Sequence, residues 1–414
     1  MLAGKHIVVG ISGGIAAYKT PLLIRLLRKA GAEVKVTTTA NALQFVTDLT
    51  LQTLSGNKVY SDVFAPTNDH STEHISLPDW ADLMIVAPAT ANVIGKMANG
   101  IADDALTTTF LAMQRPVLIA PAMNDKMYAH PALQHNLGTL CSFPNVTVLP
   151  CAEGFLACGT TGTGRMLEPE EIFLAAERLM TEQTLTGQHV LISAGPTQEK
   201  LDPVRFISNY STGKMGIALA EEAALRGAEV TLVLGPTALR PRKLPNLHIV
   251  DVTSALEMCA AAVQAFPKAN IAILCAAVAD YRPANPSDTK IKRSSQQGNY
   301  QLSTIHAKRS YELQRVKNYP LVENPDIAAT LGGMKREDQT LVGFALETND
   351  EEANARKKLE KKHLDMIVLN SLRHEGAAFG CDTNIVTIFR KNGERLDLPK
   401  MPKIDVAKHI LDLI

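Results

Sequence analysis

The sequence predicts an α/β chain of two tandem doubly wound parallel-sheet (Rossmann-like) domains, and three observations carry that reading. Residues 6–19 (HIVVGISGGIAAYK) run from an apolar strand through a glycine turn into the start of a helix. The plan begins again at residues 189–193, where an apolar strand is followed by a turn at 194–197 and a helical stretch at 214–226. The hexapeptides Gly31-Ala-Glu-Val-Lys-Val and Gly227-Ala-Glu-Val-Thr-Leu then occupy equivalent places, each a helix-ending glycine followed by a strand.

In the first half, Leu22, Leu23, Leu26 and Leu27 give the helix one apolar face, Gly31 stops it, and the second strand covers residues 33–38. Further strands are expected at 83–87, 117–120 and 146–149, separated by stretches long enough for crossover helices. A helix at 170–180 closes this half, and the polar stretch 181–188 reads as the linker, which gives domains 1–184 and 185–414. The second half continues with strands at 271–276, 340–342, 366–369 and 385–389. It ends on a helix whose apolar face is Ile404, Val406, Ala407, Ile410, Leu411 and Ile414. Residues 285–299, with Lys290, Lys292 and Arg293, are expected to form a mobile basic loop that closes over phosphate.

Bulk properties exclude several classes. Lys plus Arg and Asp plus Glu both number 42, so no overall positive field favours nucleic acid. The longest apolar run, 271–279, is too short to span a membrane. The six cysteines include no C-x-x-C pair, which fits a reducing, cytoplasmic compartment; Cys259 and Cys275 read as small buried hydrophobes, whereas Cys158 lies among glycines and threonines.

Gly10-Ile-Ser-Gly-Gly-Ile lies between strand and helix, where a phosphate can meet a helix N-terminus; it departs from G-x-G-x-x-G, so a mononucleotide such as FMN is favoured over a dinucleotide. His74, Asn124 and Cys158 are the candidate reactive or binding side chains, the thiol being protonated at neutral pH and able to donate. Each has a plainer reading: a surface histidine, a helix cap and an incidental cysteine. In the second half, residues 194–199, 202–205, 208–216 and 276–282 describe a phosphate loop ahead of a helix and an acidic residue placed for a metal. SNYSTGKMG lacks the GKS or GKT ending of a Walker ATPase.

With His74-Ile75, APATAN at 87–92, GKMANGIADD at 95–104, PAMN at 121–124 and LACG-x-x-G-x-GRM at 156–166, residues 5–180 resemble the phosphopantothenoylcysteine decarboxylase family of homo-oligomeric FMN flavoproteins. The resemblance implies a flavodoxin-like FMN-binding domain with flavin contacts from Ser12, Gly13, Gly14, Thr38 and Thr90. It further implies that His74 serves the oxidative stage, Asn124 contacts the substrate carboxylate and Cys158 donates the final proton. The chemistry implied is oxidation of the cysteine moiety to a thioaldehyde, whose sulfur delocalises the charge left by carbon dioxide.

The second-half stretches, with KIKR at 290–293, NPDIA at 324–328, GFALET at 343–348 and Lys358 to Lys362, resemble the bacterial CTP-using phosphopantothenate–cysteine ligase. That implies attack of the 4'-phosphopantothenate carboxylate on CTP, and displacement of CMP from the acyl-cytidylate by the amine of cysteine, with Mg2+ and lysines neutralising phosphate. By the same resemblance Asn209 contacts the acyl intermediate, Asp280 serves the nucleotide or its metal, and Lys290 reaches the triphosphate or substrate. Ala276, Pro325, Asp326, Ile327, Ala328, Phe344, Lys358 and Lys362 match the nucleotide pocket. Lys358 and Lys362 also suit a solvated helix face, and Lys290 and Lys292 are alternatives for one role. Thr212 stands where that family commonly has serine, and the interval from Lys290 to Asn324 is longer than usual. The two halves together resemble the bifunctional coenzyme A biosynthesis enzymes, which implies a cytoplasmic homo-oligomer with trimeric flavin domains and dimeric ligase domains. The alternatives are a decarboxylase of another cysteine-containing substrate and a flavin-binding regulatory subunit.

Overall fold

A computed structural model of the protein describes residues 2–64, 73–155, 161–291, 319–347, 349–371 and 380–414. The chain divides into two units, Met1–Glu182 and Gln183–Ile414.

In the first unit, β1 (His6–Ile11), β2 (Glu33–Thr38), β3 (Val59–Tyr60), β4 (Leu83–Ala89), β5 (Val117–Pro121) and β6 (Val146–Val148) form one sheet in the order β3-β2-β1-β4-β5-β6. Every pairing in it is parallel. Without the two-residue edge strand β3, the other five keep the 2-1-3-4-5 order of flavodoxin-like sheets. The strands are continuous apolar runs because helices cover both faces. Ile7, Val9, Val34 and Val36 pack with Leu23, Leu27, Ile172 and Ala176 on one side. Val8, Met84 and Val86 pack with Val93, Leu106 and Leu133 on the other. An antiparallel pair, β7 (Ala152–Phe155) with β8 (Thr161–Arg165), flanks the stretch of glycines and threonines around Cys158, for which the sequence predicts no strand. Cys158 lies outside the described residues.

The second unit contains β9 (His189–Ala194), β10 (Gln198–Lys200), β11 (Phe206–Ser208), β12 (Glu229–Leu234), β13 (Leu247–Asp251), β14 (Ile271–Leu274), β15 (Tyr281–Pro283), β16 (Leu321–Glu323), β17 (Thr340–Glu347), β18 (Met366–Ser371), β19 (Thr383–Arg390) and β20 (Arg395–Pro402). Its main sheet runs β13-β12-β9-β14-β17-β18-β19-β20, while β10 with β11 and β15 with β16 form small antiparallel ribbons. The sheet is parallel from β13 to β18, but β19 and β20 join antiparallel, which the sequence reading lacks. For β20 the cause is local: Gly393, at φ +90°, closes a tight turn in which the Arg390 N–H donates to Glu394 O, and so short a connection permits only an antiparallel return. The polar linker also differs. Leu185 is buried, its N–H donates to Arg226 O at 3.0 Å and Gln183 Nε2 donates to Leu225 O, so this stretch belongs to the second unit.

Helices cover this sheet on both sides. The helices Lys214–Leu225 and Lys403–Asp412 share one face, tied by Arg226 to Glu222 (2.9 Å) and Asp412 (2.6 Å). Met258, Phe266, Ile327, Leu331, Ala355 and Leu359, from the other helices, form the core of the opposite face. No helix of the described residues is long and apolar enough to cross a membrane.

Candidate functional site

Each main sheet reverses its strand order once, between β1 and β4 in the first unit and between β9 and β14 in the second. At such a reversal the following helices diverge to opposite faces and leave a cleft at the strand C-termini. Both clefts contain a cavity.

The first cavity, about 1110 Å³, is lined by Gly13, Gly14, Tyr18, Asn41, Thr90 and Asn124 among others. Its base is stitched across the reversal. Ser12 Oγ donates to Pro88 O at 2.8 Å and accepts from the Thr90 N–H at 2.9 Å, while Thr20 Oγ1 donates to Ala87 O at 2.7 Å. The glycine turn is a steric necessity: a Cβ on Gly13 would stand 2.5 Å from Asn41 Cβ, and one on Gly14 would stand 3.1 Å from Thr90 Cγ2. The hydroxyls of Thr38 and Thr39 are buried at the end of β2 without a partner among the described residues, and Thr39 lines the cavity. Unpaired buried hydroxyls beside a glycine cradle at a strand end fit a polar, phosphate-bearing ring compound such as FMN. The lining cations are already neutralised, Lys19 by Glu168 at 2.8 Å and Lys96 by Asp103 at 2.6 Å and Asp104 at 3.2 Å. Lys19 and then Arg165 outweigh burial and hold the Glu168 carboxyl below the usual range.

Of the residues singled out from the sequence, Gly13, Gly14, Thr90 and Asn124 line this cavity, and Ser12 and Thr38 are buried behind its wall. Asn124 also caps the helix Asp125–Tyr128, its Oδ1 accepting from the Lys126 N–H at 2.9 Å, so the plainer reading of this residue, a helix cap, holds. His74 lies in the first turn of the helix Glu73–Trp80, outside the lining residues. Cys151 is buried with its thiol directed at Pro121 O (3.6 Å), and burial pushes that thiol up to about 11. The sequence reading misses Tyr18, Lys19, Asn41, Lys96 and Asp104. Lys19 meets Glu168 across 149 positions, which no local pattern announces.

The second cavity, about 500 Å³, lies between β9 and β14. A backbone bridge joins Pro196 to Ala277, and the fully buried Thr197 accepts the Ala279 N–H at 3.0 Å. Asn209 Nδ2 donates to Ala277 O (3.0 Å) and Val278 O (3.2 Å), clamping the same loop. The helix Lys214–Leu225 begins at Gly213, whose φ of +76° glycine tolerates, and Gly216 has no room for a Cβ, which would meet Ala194 Cβ at 2.4 Å. That contact brings the helix N-terminus to the end of β9.

Ala276, Asp280, Pro325, Asp326, Ile327, Ala328, Phe344, Lys358 and Lys362 all line this cavity, as does Asn209. Lys358 pairs with Glu347 at 2.5 Å and Lys362 with Asp326 at 3.0 Å, so these two lysines border the cavity with their charges already paired. Burial opposes ionisation of Asp326, but the Ala329 N–H and Lys362 outweigh it and hold the carboxyl below its ordinary value. Asp280 is exposed, and among the described residues no group of three His, Cys, Asp or Glu side chains could hold a metal ion. A metal here would take most of its ligands from phosphate and water. Lys290 is exposed and outside the lining residues, yet its neighbour Ile291 is pinned: its N–H donates to Asp202 Oδ2 (3.1 Å), and its carbonyl accepts from Arg205 (2.7 Å). Lys292 falls outside the described residues. Lys403, Asn370 and Asn384 line the cavity unannounced by sequence, because they arrive from the distant strands and helix of the C-terminal edge.

A family model described as Flavoprotein matches residues 1–180, and one described as DNA/pantothenate metabolism flavoprotein C-terminal domain matches residues 185–414. The coenzyme A biosynthesis bifunctional protein CoaBC of Bacillus subtilis (strain 168) is 49% identical over 418 residues, spanning 100% of this chain and 97% of that protein. A cysteine/cysteine sulfinic acid decarboxylase of an unknown prokaryotic organism is 50% identical over 378 residues, spanning 89% of this chain and 99% of that one. The crystal structure of the C-terminal domain of a coenzyme A biosynthesis bifunctional protein CoaBC is 41% identical, covering 56% of this chain and 96% of that chain with a TM-score of 0.43.

Proposed function

Because this chain belongs to the DNA/pantothenate metabolism flavoproteins and is a bifunctional enzyme of coenzyme A biosynthesis, both phosphopantothenoylcysteine decarboxylase and phosphopantothenate–cysteine ligase, we propose that its first cavity holds FMN and its second CTP with Mg2+. The observation that carries this reading is the pair of cavities at the two strand-order reversals, one walled by glycine and unpaired hydroxyls, the other by lysines and a helix N-terminus.

FMN, when bound, supplies the two-electron chemistry that lets the carboxylate beside the cysteine sulfur depart. Gly13 and Gly14 admit its phosphate to the backbone, Ser12 and Thr90 hold that turn in place, and Thr38 gains the partner it lacks. Asn124 faces the cavity to hold the substrate carboxylate, His74 serves the oxidative stage, and Cys158 donates the proton that completes the product. The exposed apolar side chains Ile15, Tyr18 and Met127 border this cavity, and a neighbouring protomer covers them, completing the site in a homo-oligomer of trimeric flavin domains. In the second unit Val204, Phe206 and Tyr210, the last 91% exposed, serve the same purpose in a dimer of ligase domains.

In the ligase cavity the 4'-phosphopantothenate carboxylate attacks the α-phosphate of CTP, pyrophosphate leaves, and the amine of cysteine then displaces CMP. Lys358, Lys362 and the backbone of Pro325 to Ala328 hold the nucleotide, Asn209 faces the acyl intermediate, Asp280 holds the metal or ribose, and Lys290 approaches the phosphates from its loop. The enzyme is cytoplasmic and works on small molecules.

The test is to incubate the purified yellow protein with 4'-phosphopantothenate, cysteine, Mg2+ and either CTP or ATP. CMP and carbon dioxide are expected together with CTP. AMP formed equally well from ATP would overturn the nucleotide assignment, and a colourless preparation the flavin. One relative's name favours a second reading, decarboxylation of free cysteine or cysteine sulfinic acid. Carbon dioxide released from those acids at a comparable rate, with CTP and 4'-phosphopantothenate omitted, would establish it.

A further inference from the structure

The ligase cavity straddles the C-terminal edge of its sheet, so its two ends belong to helices on opposite faces. Lys358 and Lys362 come from the face of the helices Ile327–Met334 and Glu351–Lys361, whereas Lys214 and Lys403 come from the face of Lys214–Leu225 and Lys403–Asp412. Three of these lysines are matched to carboxylates: Lys358 to Glu347, Lys362 to Asp326, and Lys214 to Asp382 at 2.6 Å. Among the described residues, Lys403 Nζ has only a carbonyl, that of Cys381. Burial lowers its ammonium from the ordinary lysine range; the charged groups around it are Lys214 and Asp382, with the thiols of Cys381 and Cys275 beside them. Lys214 and Lys403 therefore grip one short segment from two sides, Lys214 Nζ donating to Gly380 O at 2.9 Å and Lys403 to the next carbonyl. Both line the cavity together with Gly213, Met215 and Gly216 of a helix N-terminus that has no side-chain cap.

We infer that Lys403 is a phosphate-binding residue of the ligase site, exchanging the Cys381 carbonyl for a non-bridging oxygen of the nucleotide's triphosphate when that group enters beside Gly213 and Lys214. The inference rests on the CTP reading of this cavity. It adds a division of labour: one face of the sheet holds the base and ribose, and the other receives the anionic tail. A half-buried ammonium with no carboxylate to leave gives its full charge to an incoming phosphate, while Lys214 must first be drawn from Asp382.

The test uses the full-length protein with Lys403→Met, which keeps the aliphatic stem, and Lys403→Arg, which keeps the charge. Inorganic tripolyphosphate and cytidine are titrated separately as inhibitors of the ligase reaction, and decarboxylation of supplied phosphopantothenoylcysteine reports folding of the chain. Lys403→Met is expected to weaken tripolyphosphate and to raise the KM for CTP by about tenfold or more, leaving cytidine unchanged and the KM for 4'-phosphopantothenate within about twofold; Lys403→Arg restores most of the loss. Tripolyphosphate inhibiting the Met variant as well as it does the wild type, or an equal loss for cytidine, overturns the assignment. Failure of the wild type to form CMP from CTP would instead sink the underlying reading, so the two failures are separable.

Discussion

The two cavities occupy the same place in two versions of one plan, yet their walls differ in kind. In the first, Lys19 and Lys96 are cancelled by carboxylates, and much of the remaining wall is glycine, alanine, threonine and methionine. In the second, four lysines converge; Lys214, Lys358 and Lys362 pair with Asp382, Glu347 and Asp326, while Lys403 has, among the described residues, a carbonyl and no carboxylate. Strand order makes the cleft; the residues just past the strand ends decide whether it suits a delocalised ring or a polyphosphate. If that division is right, each cleft can be disabled while the other keeps working.

The largest effect should come from closing the glycine cradles. Gly13→Val puts branched carbon where even a Cβ would lie 2.5 Å from Asn41, and Gly216→Val does the same against Ala194 at 2.4 Å. Gly13→Val is expected to give a colourless protein with decarboxylation reduced on the order of 100-fold and CMP formation intact. Gly216→Val should keep its yellow colour and lose ligation to a similar extent. Visible absorbance and the two product assays check the pair; loss of both activities in either variant would break the comparison.

A smaller effect separates the charges. Lys362→Ala removes a cavity lysine and leaves Asp326 without its cation, so the KM for CTP should rise by about tenfold. Raising the ionic strength should raise the same KM in the wild type while flavin retention stays constant, because salt screens the attraction between the partly exposed lysines of the second cleft and a polyanion.

How much was legible in the sequence depends on how local each signal is. The strand, glycine turn and helix at the start of the first unit are contiguous, and in the second the strand and the helix from Lys214 are separated only by a short ribbon, so the clefts and their glycines could be read directly. Much of the second cavity's lining was legible through short motifs such as Asn324 to Ala328. The antiparallel β19–β20 edge and the strand β13 were not. The first depends on a turn around Gly393 rather than on periodicity. The second is a short edge strand, Leu-His-Ile-Val-Asp, in which His248 and Asp251 leave only two adjacent apolar residues, too few to mark a strand. Lys403 was invisible because its partners lie at Lys214 and Cys381, joined only by folding. His74 and Lys290 were legible by resemblance, yet neither lines its cavity.

Asp202 offers a gentler probe of the second cleft. Its carboxylate accepts from Arg205 and from the N–H groups of Val204, Arg205 and Ile291, so it holds the chain beside Lys290. The Arg205 guanidinium, against the cost of burial and helped by those amides, holds this carboxyl far below the usual range. A depressed carboxyl contributes stability above its unfolded value and loses it only as pH falls toward the folded one. The anchor should therefore survive mild acid and fail only well below pH ~4. Asp202→Asn is expected to lower ligase turnover about three- to tenfold at neutral pH, with decarboxylation unchanged. Unaltered ligation in this variant would show that the position of Lys290 does not depend on the anchor.

The smallest effect concerns the thiols of the first unit, and it tests whether the right cysteine has been assigned. Cys151 is buried against Pro121 O, and burial pushes its thiol up to about 11, so at neutral pH almost none of it is thiolate. A thiol that does not line the cavity and does not ionise has packing as its role. Cys151→Ala should cost roughly 1 kcal/mol of stability and leave both activities within about twofold. Cys158→Ser, by contrast, should still oxidise substrate but fail to release the fully reduced product. Iodoacetamide at pH 7 should spare Cys151 and reach the exposed Cys141, with labelling of Cys151 rising only in strong alkali. Rapid labelling of Cys151 at neutral pH, or loss of product release in Cys151→Ala, would move the proton donor from Cys158 to the buried thiol and redraw the first cleft around the Pro121 strand end.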